Sequence, residues 1–152
     1  MSVVSVAEMP GLVGRELGPS TWVEVGQDKI DTFADVTSDH QFIHVDHDLA
    51  AQTPFGTTIA HGFLTLSLLT AMCSEFVVSP QGAVMGINYG LDKVRFLAPV
   101  KSGSQVRARG RITEVGERSP GRWLVKYEVT VEIEGEDKPA LLAEWLTMSV
   151  VA

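Results

Sequence analysis

The run GFLTLSLLTAMCSEFVV, residues 62 to 78, decides how this chain must fold. Apolar side chains occupy nearly every face of the helix it would form, so that helix has to be enclosed by other structure. Thr65, Ser67, Thr70, Ser74 and Glu75 interrupt the run and make it too polar to span a membrane. The enclosing layer must come from the rest of the chain.

That layer follows in sequence. After Ser79-Pro80-Gln81-Gly82 the chain becomes a series of long extended segments, separated by Pro99, by Ser119-Pro120-Gly121 and by Gly135 to Pro139. In the clearest of them, Val125, Tyr127, Val129, Val131 and Ile133 alternate with Lys126, Glu128, Thr130, Glu132 and Glu134, which gives one buried and one wet face. Short turns imply antiparallel pairing. Upstream, Thr21 to Val25 reads as a strand ended by Gly26. Ile30, Phe33, Ala34 and Thr37 then share one side of an amphipathic helix, with Asp28 and Asp31 near its N-terminus. This helix stops at Ser38-Asp39, which leaves Asp39 to His44 as a loop. Asp46 caps a short helix through Leu49, Ala50 and Ala51, and Thr53-Pro54-Phe55-Gly56 ends it. The expected architecture is one α+β domain over residues 1–152, an antiparallel sheet wrapped around a central apolar helix.

With 152 residues, 45% hydrophobic and 20% charged, the chain can bury a core without disulfides or metal staples. The net charge of −7 argues against nonspecific nucleic-acid binding. Positive charge is concentrated: residues 93 to 126 carry nine basic and two acidic groups, whereas residues 1 to 92 carry two basic and eleven acidic. The single cysteine, Cys73, lies among Met72, Leu69 and Phe76 and reads as a core residue in a reducing compartment. Residues 1 to 11 lack a basic start followed by an apolar run, so a cytoplasmic location is expected.

Chemistry concentrates in Thr37-Ser38-Asp39-His40-Gln41-Phe42-Ile43-His44 and Thr58-Ile59-Ala60-His61-Gly62-Phe63. Taken singly, Asp39 reads as a helix-ending residue and His44 as a structural histidine. Taken together with a glycine that opens the apolar helix, they supply an acid/base pair and a backbone donor for an oxyanion. His40, His44, Asp46 and His47 also admit a metal reading, but their spacings match no standard zinc pattern, and no metal is expected.

Asp39-His40-Gln41-Phe42-Ile43-His44, then five residues, then Ala50, resembles the motif of MaoC-like dehydratases, the (R)-specific enoyl-CoA hydratase group: Asp-x-Asn-Pro-aliphatic-His, five residues, a small one. Ala60-His61-Gly62 also fits, as does Asn88-Tyr89-Gly90 before Lys93-Val94-Arg95-Phe96. Gln41 and Phe42 depart from the pattern, and Ser38 stands where glycine is usual. The resemblance implies a hot dog fold, a homodimer whose sheets pair edge to edge, and acyl-thioester tunnels near the interface. It implies that Asp39 and His44 hold a water that adds to trans-2-enoyl-CoA, while the Gly62 N–H receives the enolate oxygen. Thr70, or failing that Ser67, would support the carboxylate, with Gln41 and His61 shaping the loop and turn. Neither a metal nor a redox cofactor is expected, because the substrate itself carries coenzyme A.

Arg107, Arg109 and Arg111 share one strand face. With Lys93 and Arg95, Arg107 and Arg109 are candidate contacts for coenzyme A phosphates, the alternative being a solvated strand face. Leu66, Met72 and Met85 are candidates for setting tunnel depth. Three rival activities stay open: a dehydratase acting on a 3-hydroxyacyl carrier protein, an acyl-CoA thioesterase, and a noncatalytic subunit that binds acyl thioesters.

Overall fold

The computed structural model describes residues 2–152; Met1, part of the N-terminal stretch read for a leader, lies outside them. The chain runs through β1 (Ser2–Val4), a 3-10 helix (Val6–Leu12), β2 (Glu16–Leu17), β3 (Val23–Val25), α1 (Gln27–Thr37), α2 (Phe42–Val45) and α3 (His47–Ala51). It continues through α4 (Gly62–Ser67), α5 (Leu69–Cys73), β4 (Val78–Pro80), β5 (Ala83–Phe96), β6 (Ser104–Ser119), β7 (Arg122–Ile133) and β8 (Leu141–Val151). The four long strands pair antiparallel in the order β6-β7-β8-β5, and the short β2 and β3 both pair with β6.

The inner face of this sheet is built by alternation. Val125, Tyr127, Val129, Val131 and Ile133 of β7 are buried, as are Val106, Ala108 and Ile112 of β6. They meet Leu64, Leu69, Met72 and Cys73 from the central helix in one continuous core. That helix is α4 and α5 joined through Leu68, which keeps helical dihedrals while its amide bonds to the Leu64 carbonyl.

Two sequence expectations about the helix need correction. It ends at Cys73 rather than Val78: the Phe76 and Val77 amides both return to the Cys73 carbonyl, and the following Val78–Pro80 runs as β4, parallel to β1. β-Branched Val77 and Val78 favour the extended state, and the Tyr127 hydroxyl takes the Val78 amide at 3.1 Å. Nor is the helix enclosed all round. Phe63 is 70% exposed, and Ser67, Thr70 and Ala71 are exposed beside it, so one side has no cover among the described residues.

The first half follows its local signals more closely. α1 buries Ile30 and Ala34, and the Asp46 carboxylate caps α3 by accepting from the Leu49 amide at 2.9 Å. Of the expected loop from Asp39 to His44, Phe42 to His44 instead belongs to one helical turn, α2, begun at Gln41. α1 ends at Ser38, which takes the left-handed conformation (φ 60°, ψ 25°) while the Asp39 amide closes on the Ala34 carbonyl at 3.1 Å. A Cβ makes that conformation costly, and glycine is the usual residue for it. Ser38→Gly is therefore expected to stabilise the protein by up to ~1 kcal/mol, a rise of ~1–3 °C in Tm by calorimetry, and a lower Tm would refute the strain.

Candidate active site

A short extended strip, Thr58 to His61, carries the site. The Ala60 amide bonds to the Val100 carbonyl at 2.7 Å and the Ser102 amide to the Thr58 carbonyl at 2.9 Å, which fixes the strip to the segment leading into β6. On its other side the Ile59 amide bonds to the Ile43 carbonyl at 3.0 Å. The strip thus ties the turn that carries His44 to the sheet, and at its end the chain enters α4 through Gly62.

His44 is buried, and its Nδ1 lies 2.7 Å from the Ile59 carbonyl. A carbonyl only accepts, so Nδ1 carries the hydrogen and Nε2 is left with a bare lone pair. The His61 Nε2 donates in the same way to the Asp39 carbonyl at 2.9 Å, and the two rings stack with centroids 3.8 Å apart and planes 26° apart. Phe33 closes the other face of His61 at 5.0 Å. A carboxylate oxygen of Asp39 and ring nitrogens of His44 and His61 all lie within 4.8 Å of one another. That span suits a single water, which reaches about 2.8 Å to each partner.

The charges in this group are unequally housed. Burial pushes the His44 imidazole below its usual value and outweighs the bond to Ile59, with the neighbouring His61 adding to the fall and Asp39 opposing it. Asp39 is exposed, so the desolvating tunnel expected around it is not supplied by this chain's own atoms. An Asx-turn contact, from the Gln41 amide to the Asp39 carboxylate at 3.4 Å, sits beside it. The His61 Nδ1 is buried without a partner.

Beside His44 opens a cavity of about 290 Å³ lined by Gly62, Thr65, Phe96, Ala98, Val100 and Ala140 among others. Gly62 is the first residue of α4, where an amide lacks a partner within the helix. Its missing side chain matters: a Cβ there would lie 3.1 Å from the Phe96 ring. The wall is therefore an imidazole, a helix-opening amide and apolar side chains.

Several expected residues fall elsewhere. Ser67 donates to the Phe63 carbonyl at 2.7 Å and Thr70 to the Ser67 carbonyl at 3.1 Å, both on the open side of the helix, so the sequence assignment of either as a support for Asp39 is not met within this chain. Arg107 and Arg109 share the Glu132 carboxylate at 2.6 and 2.7 Å on the outer face of the sheet, and Arg107 covers the Trp22 ring at 4.4 Å. Neither lines the cavity. Lys93 borders an outer-face groove with Glu128 and Glu144, and Arg95, next to Phe96, donates to the Val94 carbonyl. Met72 is core, whereas Met85 is exposed on β5.

Sequence reasoning gave no role to Thr65, whose spacing of three from Gly62 places it on the same helix face, nor to Gln27, nor to Thr58 and Phe96, although these last two stand inside the quoted motif stretches. Gln27 left no signal in the pattern.

Comparison with known proteins identifies the family. Residues 8–136 match the family described as MaoC like domain. The chain is 53% identical over 149 residues to "Nodulation protein N" of Rhizobium leguminosarum bv. viciae, covering 97% of this chain and 92% of that one. It is 47% identical over 140 residues to "3-hydroxyacyl-thioester dehydratase Z" of Mycobacterium tuberculosis, covering 92% of each. Among solved structures, an (R)-hydratase from A. caviae involved in PHA biosynthesis superposes with a TM-score of 0.72 at 24% identity, over 89% of this chain and 94% of that one, which establishes the hot dog fold. The expectation drawn from Asp39 to His44 and from Ala60-His61-Gly62 thus holds: this chain belongs to the MaoC-like dehydratase family.

Proposed function

We propose that the protein reversibly hydrates a trans-2-enoyl thioester to the (R)-3-hydroxyacyl thioester, with coenzyme A as the favoured carrier. One observation carries this reading: the Asp39 carboxylate and the His44 imidazole converge within one water's reach beside the cavity that Gly62 lines. The bare Nε2 of His44 accepts one hydrogen of the water and aims its oxygen, while Asp39 accepts the other as a proton. The oxygen bonds to the β-carbon, the double-bond electrons move onto the carbonyl oxygen, and the Gly62 N–H stabilises that charge. Asp39 then returns the proton to the α-carbon on the same face. Dehydration is the same path reversed.

No metal enters this scheme. A cytoplasmic location belongs to the same proposal and is supported by Cys73, a free and buried thiol whose proton affinity burial pushes up to about 12. No helix among the described residues is long and apolar enough to cross a membrane.

A homodimer formed through β5 is also proposed. Among the described residues this 14-residue strand pairs with β8 alone, and Val84, Met85, Tyr89, Leu91 and Phe96 are exposed along it. Free edges of that length and apolarity are normally covered. Light scattering is expected to give twice the chain mass, and a Met85→Lys, Tyr89→Lys variant to shift towards the monomer; a monomeric wild type would remove the dimer.

Loss of crotonyl-CoA absorbance, with chiral analysis of the product, tests the activity. Asp39→Asn and His44→Ala are each expected to lower kcat by roughly 10²–10⁴-fold while circular dichroism stays native, and wild-type rates in either would exclude that residue. Parallel assays on an acyl-carrier-protein substrate and for free thiol release separate the carrier and thioesterase alternatives. The pH dependence follows from His44, which must be neutral to accept from water. Because burial lowers its proton affinity, activity is expected to persist below pH ~6.5 and to fall only in more acidic solution, and a half-point above that value would contradict the assignment.

A further inference from the structure

We propose that the Gln27 side-chain amide and the Thr58 hydroxyl are positioning residues that hold the His44 imidazole at the angle the water requires, an inference that rests on the hydration reading above. Gln27 opens α1, and its amide spans three segments. Its Nε2 donates to the His44 carbonyl at 2.7 Å and to the Asp31 carboxylate at 2.8 Å, and its Oε1 accepts from the Thr58 hydroxyl at 2.7 Å. The orientation of that amide is fixed by its partners. Turned over, it would set an oxygen against a carbonyl and a carboxylate, with its NH₂ facing a hydroxyl.

These bonds close a circuit. From the His44 carbonyl the path runs through Gln27 to Thr58, along one peptide to the Ile59 carbonyl, and back to the His44 Nδ1 at 2.7 Å. The His44 amide is held separately, by the Gln41 carbonyl at 2.9 Å. Main chain and ring of His44 are thus both referred to the same two residues of the strip, and rotation of the one against the other is blocked. Thr58 is fully buried, and its carbonyl accepts from Ser102, so the circuit is fixed to the sheet entrance as well. Gln27 and Thr58 do not line the cavity, so their loss should disturb the chemical step rather than substrate binding.

The test compares Gln27→Met, Thr58→Val and Thr58→Ser, all charge-neutral and close in size. In the hydration assay, Gln27→Met and Thr58→Val should each lower kcat on the order of 10-fold to 100-fold, with KM within about twofold of wild type, as expected when a catalytic group loses its alignment. Thr58→Ser keeps the donor and should restore kcat. A second readout is the NMR titration of the His44 ring, assigned with His44→Gln. Loosening the circuit admits solvent and should raise its midpoint towards the ordinary histidine value in the two disruptive variants, with the acid limb of kcat moving the same way.

The ionisable groups that surround His44 are His61 on the strip, Asp39 in the loop, Asp31 behind Gln27 on α1, Asp46 and His47 at α3, and Lys101 opposite Ile59; none changes in these variants. Wild-type kcat and an unmoved His44 midpoint in Gln27→Met would overturn the proposal, as would equal losses in Thr58→Ser and Thr58→Val. Absence of hydration by the wild-type protein on either carrier would sink the functional reading instead, and the NMR arm would still decide whether the two residues hold the ring.

Discussion

The backbone of Thr58 to His61 is the constraint on which the rest of the site depends. One flank is hydrogen-bonded to Val100 and Ser102 at the sheet entrance, the other to Ile43 and the His44 ring. A buried strip with unpaired amides would be costly, so both flanks are satisfied or neither segment settles. Because this strip also leads into Gly62, one set of backbone bonds fixes the separation between the imidazole and Gly62, both of which line the same cavity. Rigid supports of this kind give a catalytic group its alignment without any cost at the moment of reaction.

Electrostatics divide the molecule into two regions. On the outer face of the sheet, charge is neutralised locally. Burial alone would raise the Glu132 carboxyl, yet Arg107 and Arg109 together overcome it and hold it below its usual value. Such half-exposed pairs contribute ~0–1 kcal/mol each, and their effect is to occupy the arginines rather than to stabilise the fold. Around His44 the reverse holds. Its ring meets a carbonyl, a second imidazole and apolar walls, and burial favours its uncharged form, the state in which it can accept a hydrogen bond.

Exposed apolar surface is also concentrated rather than scattered. β5 leaves Val84, Met85, Tyr89 and Leu91 in solvent, and Phe63 and Phe96, 6.3 Å apart in an edge-on contact, continue this surface to the side of the cavity. Between the open side of the helix and the sheet edge run grooves lined by Leu66, Thr70, Asn88, Leu91 and Trp145. The opposite edge of the sheet is covered by β2 and β3. In the homodimer proposed above, the second copy would lie along β5, next to the grooves that border the open side of the helix.

What the sequence determined by itself was whatever repeats or punctuates over a few residues. The alternation from Val125 to Ile133, the one-sided spacing of Ile30, Phe33 and Ala34, the Asp46 cap and the breaks at Pro99 and Pro120 are local signals, and each element formed where they stood. The spacing of Asp39, His44 and Gly62 was equally legible, because a motif keeps its registry along the chain. Only tertiary structure decided which surfaces met: that His61 would hold the Asp39 carbonyl 22 residues away, that Gln27 would reach Thr58 across 31, and that Arg107 would pair with Glu132 across 25. It also decided where the strand after the central helix is held, through a tyrosine 49 residues downstream of Val78. Contacts of that range depend on the summed geometry of every intervening element, so they leave no period or spacing in the sequence to be read.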